Sequence, residues 1–302
     1  NKDKNFHGAF NAWLNIKNNK YSYLYSEISG YLITFMVFQY QITKKNIYLK
    51  SAERSASWLI ERAQDKDGGF KCLFLIDKKL KYQKKESLVY SFDNGVIITG
   101  LINLYKITKN KKYLNAAIKA ADFMIKIFFK KFFSVRPVFN LKTKKFTEDN
   151  RQWSLVSGSY HTKISMGLLS LYEVTKNEKY LRYGKKILDG YLKKQKKDGE
   201  FLSTRFNINF HPLCYTAEGY WSCGKFLKNK KYLQASKKIT KWILEQILSN
   251  GTVPRLKLNK VFIYHERVDI LSQVLRLLVI HSKELNIIQN SKEKIKNLTN
   301  TI

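Results

Sequence analysis

The chain has 302 residues, 44% of them hydrophobic, and no Pro/Gly/Ser-rich linker, so one sizeable core and a single domain over residues 1–302 are expected. No run of 18 uncharged apolar residues occurs, which excludes an evident membrane span. The net charge of +33 invites an acidic partner, but arginine stands at only nine positions and the lysines gather in turns such as "TKNKKY". That pattern is what a base-composition bias would produce and argues against nucleic acid; an anionic sugar is the partner to expect where the charge is functional.

From the N-terminus, "NKDKNFHGAF" lacks the apolar centre of a signal peptide, so a cytoplasmic location is expected, although a chain starting at Asn1 leaves a removed leader open. Either "HGAFNAWLNIKNNKYSYLY" (His7–Tyr25) supplies part of a sixth helical hairpin or the ring of hairpins is open. A repeat follows: "TFMVFQYQITKKNIYL", "VIITGLINLYKITKNKKYL", "MGLLSLYEVTKNEKYL" and "EGYWSCGKFLKNKKYL" align on Tyr48, Tyr113, Tyr180 and Tyr232, spaced by 65, 67 and 52 residues. In each copy the first helix is apolar nearly all round and the second amphipathic, predicting buried inner helices and an outer layer. The turns "QDKDGGF", "QKKDGEF" and "LSNGTVP" each carry a glycine suited to positive φ. Residues 285–302 are read as a frayed C-terminal helix or tail. The expected fold class is all-α, an α/α toroid of five or six hairpins.

Two columns of the repeat carry information. Thirteen residues before the anchor tyrosine stand Phe35, Gly100, Gly167 and Gly219, three small residues where a neighbouring helix can come close. Nineteen to twenty-one residues before it stand Glu27, Asp93, Tyr160 with His161, and His211. A degenerate fifth copy starts with His265, Glu266, Arg267 and Asp269. In a toroid these polar groups would line one mouth, beside helix N-termini that favour anions. Cys72, Cys214 and Cys223 are odd in number and lack ligand spacing, so free thiols, no zinc site and no cofactor are expected.

The "LY-x-x-T-x-N-x-x-YL" tail, the "DG-x-F" turns and the polar helix starts resemble α/α-toroid carbohydrate-active enzymes of the six-hairpin glycosidase type, including unsaturated glucuronyl hydrolases, and the sugar epimerases. "YSEISGYLI", "FDNGVIITGL", "YHTKISMGLLSLY" and "HPLCYTAEGY" are similar to an uncharacterised bacterial group associated with polysaccharide biosynthesis. The likeness covers roughly residues 20–280. The "Q-x-x-DGGF" turn also resembles prenyltransferase and cyclase repeats, but an Asp-rich cyclase motif is absent.

Asp93 matches the position where the glucuronyl hydrolases carry an acid/base aspartate, so the resemblance implies that role; as an Asp before an apolar run it equally suits a helix cap. Glu218, Tyr215 and His211 share one helical face, able to move protons or to form a buried polar network. His161 joins them in the manner of paired epimerase histidines. These five are the catalytic candidates. Glu27, Tyr160, Trp153, Trp221, His265, Arg267 and Asp269 are candidates for substrate contact, the aromatics by stacking on sugar rings. Arg136, Arg151, Arg205 and Arg267 suit a carboxylate or sulfate. The leading reading is hydrolysis of an acidic, uronate-type glycan with Asp93 or Glu218 as proton donor. Epimerisation or elimination by the His/Tyr/Glu groups, and a non-catalytic glycan- or protein-binding toroid, are the alternatives.

Overall fold

A computed structural model describes residues 6–76, 85–129, 134–147, 152–204 and 207–282. Arg151, Arg205 and the 285–302 tail lie outside the described residues. The chain divides into two compact units, Asn1–Phe132 with Arg136–Glu148 and Gly167–Tyr183, and Phe133–Val135 with Asp149–Met166 and Gly184–Ile302. Helices α1 (Ser26–Thr43), α2 (Asn46–Trp58), α3 (Ser91–Thr108) and α4 (Lys111–Phe128) belong to the first unit. The boundary falls within α5 (Ile164–Thr175) and α6 (Glu178–Leu192), and α7 (Phe210–Phe226), α8 (Lys230–Glu245) and α9 (Val268–His281) belong to the second.

The repeated tail is a helix–helix corner. In one copy the Thr108 hydroxyl donates to the Leu104 carbonyl and Lys109 turns to φ 57°, giving its N–H to Tyr105. Asn110 then accepts from the Lys112 N–H and opens α4. Thr175, Lys176 and Asn177 repeat this, and Lys228 with Asn229 repeats its second half. Where Lys45 replaces the asparagine, α2 starts without a side-chain cap. The anchor tyrosines tie the second helices of consecutive hairpins together: the Tyr180 hydroxyl donates to Asp122 of α4 at 2.9 Å, and that of Tyr232 to Asp189 of α6. The glutamine opening each "Q-x-x-DG" turn does the same, since Gln64 Nε2 donates to Ala116 and Gln195 Nε2 to Ala235.

Helix α3 is buried on most of its surface, whereas α4 buries one stripe, Tyr113, Ala116, Ala117, Ala120, Ala121, Met124 and Phe128. The small-residue column marks close approach. A Cβ on Gly100 would lie 2.6 Å from the Gly30 carbonyl oxygen in α1, and those on Gly167 and Gly219 would meet the backbones of Gly95 and Thr162 at the same 2.6 Å. Helix α1 departs from the expected all-round burial, because Phe35, Phe38 and Ile42 form an exposed stripe at 52%, 55% and 62%.

Short strands position the first helices. Leu24–Tyr25 pairs antiparallel with Leu73–Phe74, Leu88–Tyr90 with Val138–Asn140, and Ile208–Asn209 with Leu256–Leu258. Each leads straight into a helix whose first N–H is taken by a loop carbonyl: Ser26 by Cys72 at 2.9 Å, Ser91 by Pro137 at 2.9 Å, Phe210 by Arg255 at 3.1 Å. Of the two alternatives for His7–Tyr25, residues 14–21 do not take up the helical one. Leu14–Asn15 and Lys20–Tyr21 form a β-hairpin, because Asn15 and Asn18 accept nearby backbone N–H groups and Asn19 adopts φ 51°, turn chemistry that outcompetes a helix.

Candidate active site

In the first unit two carboxylates stand in the first turns of packed helices, Glu27 second in α1 and Asp93 third in α3. The N-cap of α3 is Tyr90, so Asp93 does not cap the helix. Its neighbour Asn94 does the local structural work: the buried amide accepts from Phe70 N–H at 2.9 Å and donates to the Tyr90 and Phe70 carbonyls. Asp93 is 2% exposed and its Oδ2 has no hydrogen-bond partner among the described residues. Burial first, and the charge of Glu27 second, raise its pKa well above the usual carboxylate range, with its own backbone and the Tyr25 hydroxyl acting weakly in the other direction. Asp93 therefore holds a proton where an ordinary carboxylate has lost it. The Tyr25 hydroxyl also hydrogen-bonds Glu27, and burial, Asp93 and Glu27 push its own pKa up. Buried Cys72 is likewise held as a thiol by burial and by Asp93. A retained carboxylic proton beside a second carboxylate is the equipment of general acid–base chemistry.

The second unit assembles a different centre. His211, second in α7, is half-buried with Nδ1 3.0 Å from Asp269 Oδ2, and Asp269 takes two bonds from Arg267, at 2.9 and 2.6 Å. Burial opposes ionisation of Asp269, but the bonds from His211 and Arg267 prevail and keep its pKa low. Rings surround this pair: Trp153 lies 5.1 Å from Tyr160, 5.5 Å from His211 and 6.3 Å from Tyr215, and His211 lies 4.8 Å from Tyr215. The Tyr160 hydroxyl donates to the Val156 carbonyl.

Glu218 is two turns along α7 from His211, in an ion triad whose Lys163 and Glu218 are buried and whose Arg276 is exposed. Lys163 Nζ and Arg276 Nη1 each approach it to 2.6 Å, and the Lys163 ammonium also sits 4.3 Å from the Tyr215 ring centre. Burial works against its charge, yet the two cations and their hydrogen bonds hold its pKa below the usual range. Glu218 is thus a carboxylate held by cations, placed to order α7 rather than to give up a proton.

Of the remaining candidates, His161 packs its ring 4.1 Å from that of Tyr160, and His265, Trp221 and Arg136 contribute to neither centre. His161 is fully buried and its Nδ1 lies 3.0 Å from the Gly158 carbonyl, to which it donates. Burial lowers its pKa to about 3, against the weaker effect of that bond. Its imidazole resonances are expected to stay fixed in an NMR titration between pH 5 and 8; movement in that window would contradict the assignment of a neutral ring. His265 is exposed on the loop before α9, and Trp221 is half-buried on α7, on another face from Tyr215. Arg136 stacks on Phe146, 4.0 Å from its ring centre. Lys163 and Arg276 are the residues of these centres that sequence reasoning missed, and neither carried a positional signal; Tyr25 was visible among the aromatics near the helix starts but reads there as packing. Among the described residues no group of three His, Cys, Asp or Glu could hold a metal ion, and no helix is long and apolar enough to cross a membrane.

Solved structures resemble the whole described chain. A cellobiose 2-epimerase from Bacillus thermoamylovorans aligns with a TM-score of 0.84 at 15% identity, over 99% of this chain and 81% of that one. A D-mannose isomerase aligns at 0.74 and 13%, over 92% and 74%. A GH76 alpha-mannanase from Bacteroides thetaiotaomicron aligns at 0.70 and 16%, over 88% and 72%. At these identities the likeness is one of fold, and the fold it defines is the α/α toroid. Residues 4–246 match the family model described as beta-L-arabinofuranosidase, GH127 catalytic domain, and the chain belongs to that family. It is accordingly an enzyme that acts on a glycan. No curated protein sequence matches the chain.

Proposed function

We propose that the enzyme hydrolyses a glycosidic bond in a glycan containing an acidic sugar, with Asp93 as general acid and Glu27 as the second carboxylate. The observation that carries this reading is the placement of Asp93: buried, its pKa raised by burial and by Glu27, its Oδ2 without a partner among the described residues, and a second carboxylate in the adjoining first turn. Such a group can protonate a leaving oxygen while Glu27 directs water or attacks the anomeric carbon. The family description, a glycosidase, supports hydrolysis. The charge of +33 supports an anionic substrate, and three buried free thiols fit a cytoplasmic setting. Because Asp93 must be protonated to act, kcat/KM should fall as pH rises through its elevated pKa.

Epimerisation is the second reading, favoured by the Asp269–His211 pair with Tyr215 against the imidazole. An imidazole oriented by a carboxylate can take a proton from a sugar carbon. The discriminating experiment is incubation in deuterated water with uronate-containing oligosaccharides and β-L-arabinofuranosides, followed by NMR and mass spectrometry. Cleavage of a uronate-containing member, with no deuterium in the parent sugar, is the expected result. Deuterium at one carbon of an intact chain would replace hydrolysis with epimerisation, and cleavage confined to neutral arabinofuranosides would remove the acidic-sugar assignment.

A further inference from the structure

Beside the His211 centre, within the second unit, lies a cavity of ≈ 530 Å³ that the chemistry above does not use. Its size falls within the range of about 300–1,000 Å³ usual for small-ligand pockets. Its described lining includes Gln152, Trp153, Asn207, Asn209, Arg255 and Arg267; no Asp or Glu is among the described lining residues. The two arginines differ in availability. Arg267 already spends its fork on Asp269 through two hydrogen bonds. Arg255 has no carboxylate partner among the described residues, and its backbone is fixed twice, its carbonyl by Phe210 N–H and its N–H by the Ile263 carbonyl. A half-buried guanidinium on a pinned backbone, next to an aromatic face and several amides, is what recognition of a sugar carboxylate needs: two parallel charged hydrogen bonds, a surface for the ring, and partners for hydroxyls.

We infer that this cavity is a subsite for a carboxylate-bearing sugar residue, with Arg255 binding the carboxylate and Trp153 carrying the ring. The inference rests on the acidic-glycan reading for its ligand class and adds the residue that reads the charge. Arg255 escapes a motif search because it follows the "LSNGTVP" turn and belongs to none of the repeat columns.

Calorimetric titration tests the subsite with methyl glucuronoside and its uncharged methyl ester, on Asp93→Asn protein so that no turnover intervenes. The acid is expected to bind roughly tenfold more tightly than the ester, the worth of a charged, paired hydrogen bond. Arg255→Gln should bring the two ligands to near parity, and Arg255→Lys, a point charge without the fork, should fall between; circular dichroism of both variants verifies that the fold is kept. If Arg255→Gln keeps the full preference for the acid, the subsite is overturned while the acidic-glycan reading stands. If the parent protein shows no preference, both are overturned, and hydrolysis is then judged separately by wild-type cleavage of neutral glycans.

Discussion

Replacing Asp93 by Asn is expected to lower turnover by about 10²–10⁴-fold, the usual contribution of a positioned general acid, while leaving the fold intact. Asparagine has nearly the shape of the neutral carboxylic acid that Asp93 presents. Its effect on stability has a definite sign. The folded protein holds the Asp93 proton more tightly than the unfolded chain does, because burial and Glu27 raise the pKa. The associated stabilisation is therefore complete below the unfolded carboxylate range and is lost as pH rises through the folded pKa. Asn has no proton to lose, so the variant should match the wild type in acid and exceed it at higher pH in denaturant titrations. A variant that keeps wild-type turnover would end the assignment of Asp93 as the acid, and one that unfolds at neutral pH would contradict the description of a neutral buried side chain.

Glu218→Ala is expected to act on stability instead, costing roughly 3–5 kcal/mol, because it leaves the Lys163 ammonium buried without its counter-charge. The side chains of Lys163 and Glu218 are 8% and 9% exposed, whereas Arg276 is 54% exposed and can turn to water. Replacing both buried members, Lys163→Met with Glu218→Leu, should recover most of the loss, since an apolar pair of similar volume avoids the desolvation of two ions. The folded pKa of Glu218 is lowered, so its contribution is present above the unfolded carboxylate range and disappears only as pH falls through the folded value. Thermal unfolding at neutral pH measures the effect. An alanine variant as stable as the wild type would show that the triad is not the brace described here.

The corners were the most legible part of the fold in the sequence, because their geometry is local. Thr108, Lys109 and Asn110 each act on backbone within four residues, so the same letters recur wherever the same turn does. The small-residue column was legible for a related reason: a packing distance of 2.6 Å from a virtual Cβ to a neighbouring backbone admits only glycine. Glu27 and Asp93 could be placed at one phase of the repeat, but the raised pKa of Asp93 could not, since it depends on burial and on the charge of Glu27. Lys163 and Arg276 stand 55 and 58 residues from Glu218, at no repeat spacing, and only packing joins them. The β-hairpin at residues 14–21 was not legible because its two-residue strands are too short to show alternation.

At Ser26, Ser91 and Phe210 the helix start is secured by backbone hydrogen bonds and short extended pieces, without calling on the identity of the next one or two side chains. Those neighbouring positions hold a glutamate, an aspartate and a histidine in the three cases. Such a junction behaves as a socket: mutation can exchange the reactive group while the mount persists. Chemical divergence on this scaffold then needs few substitutions at the sockets and none in the corners, so two members could part in reaction long before they part in shape.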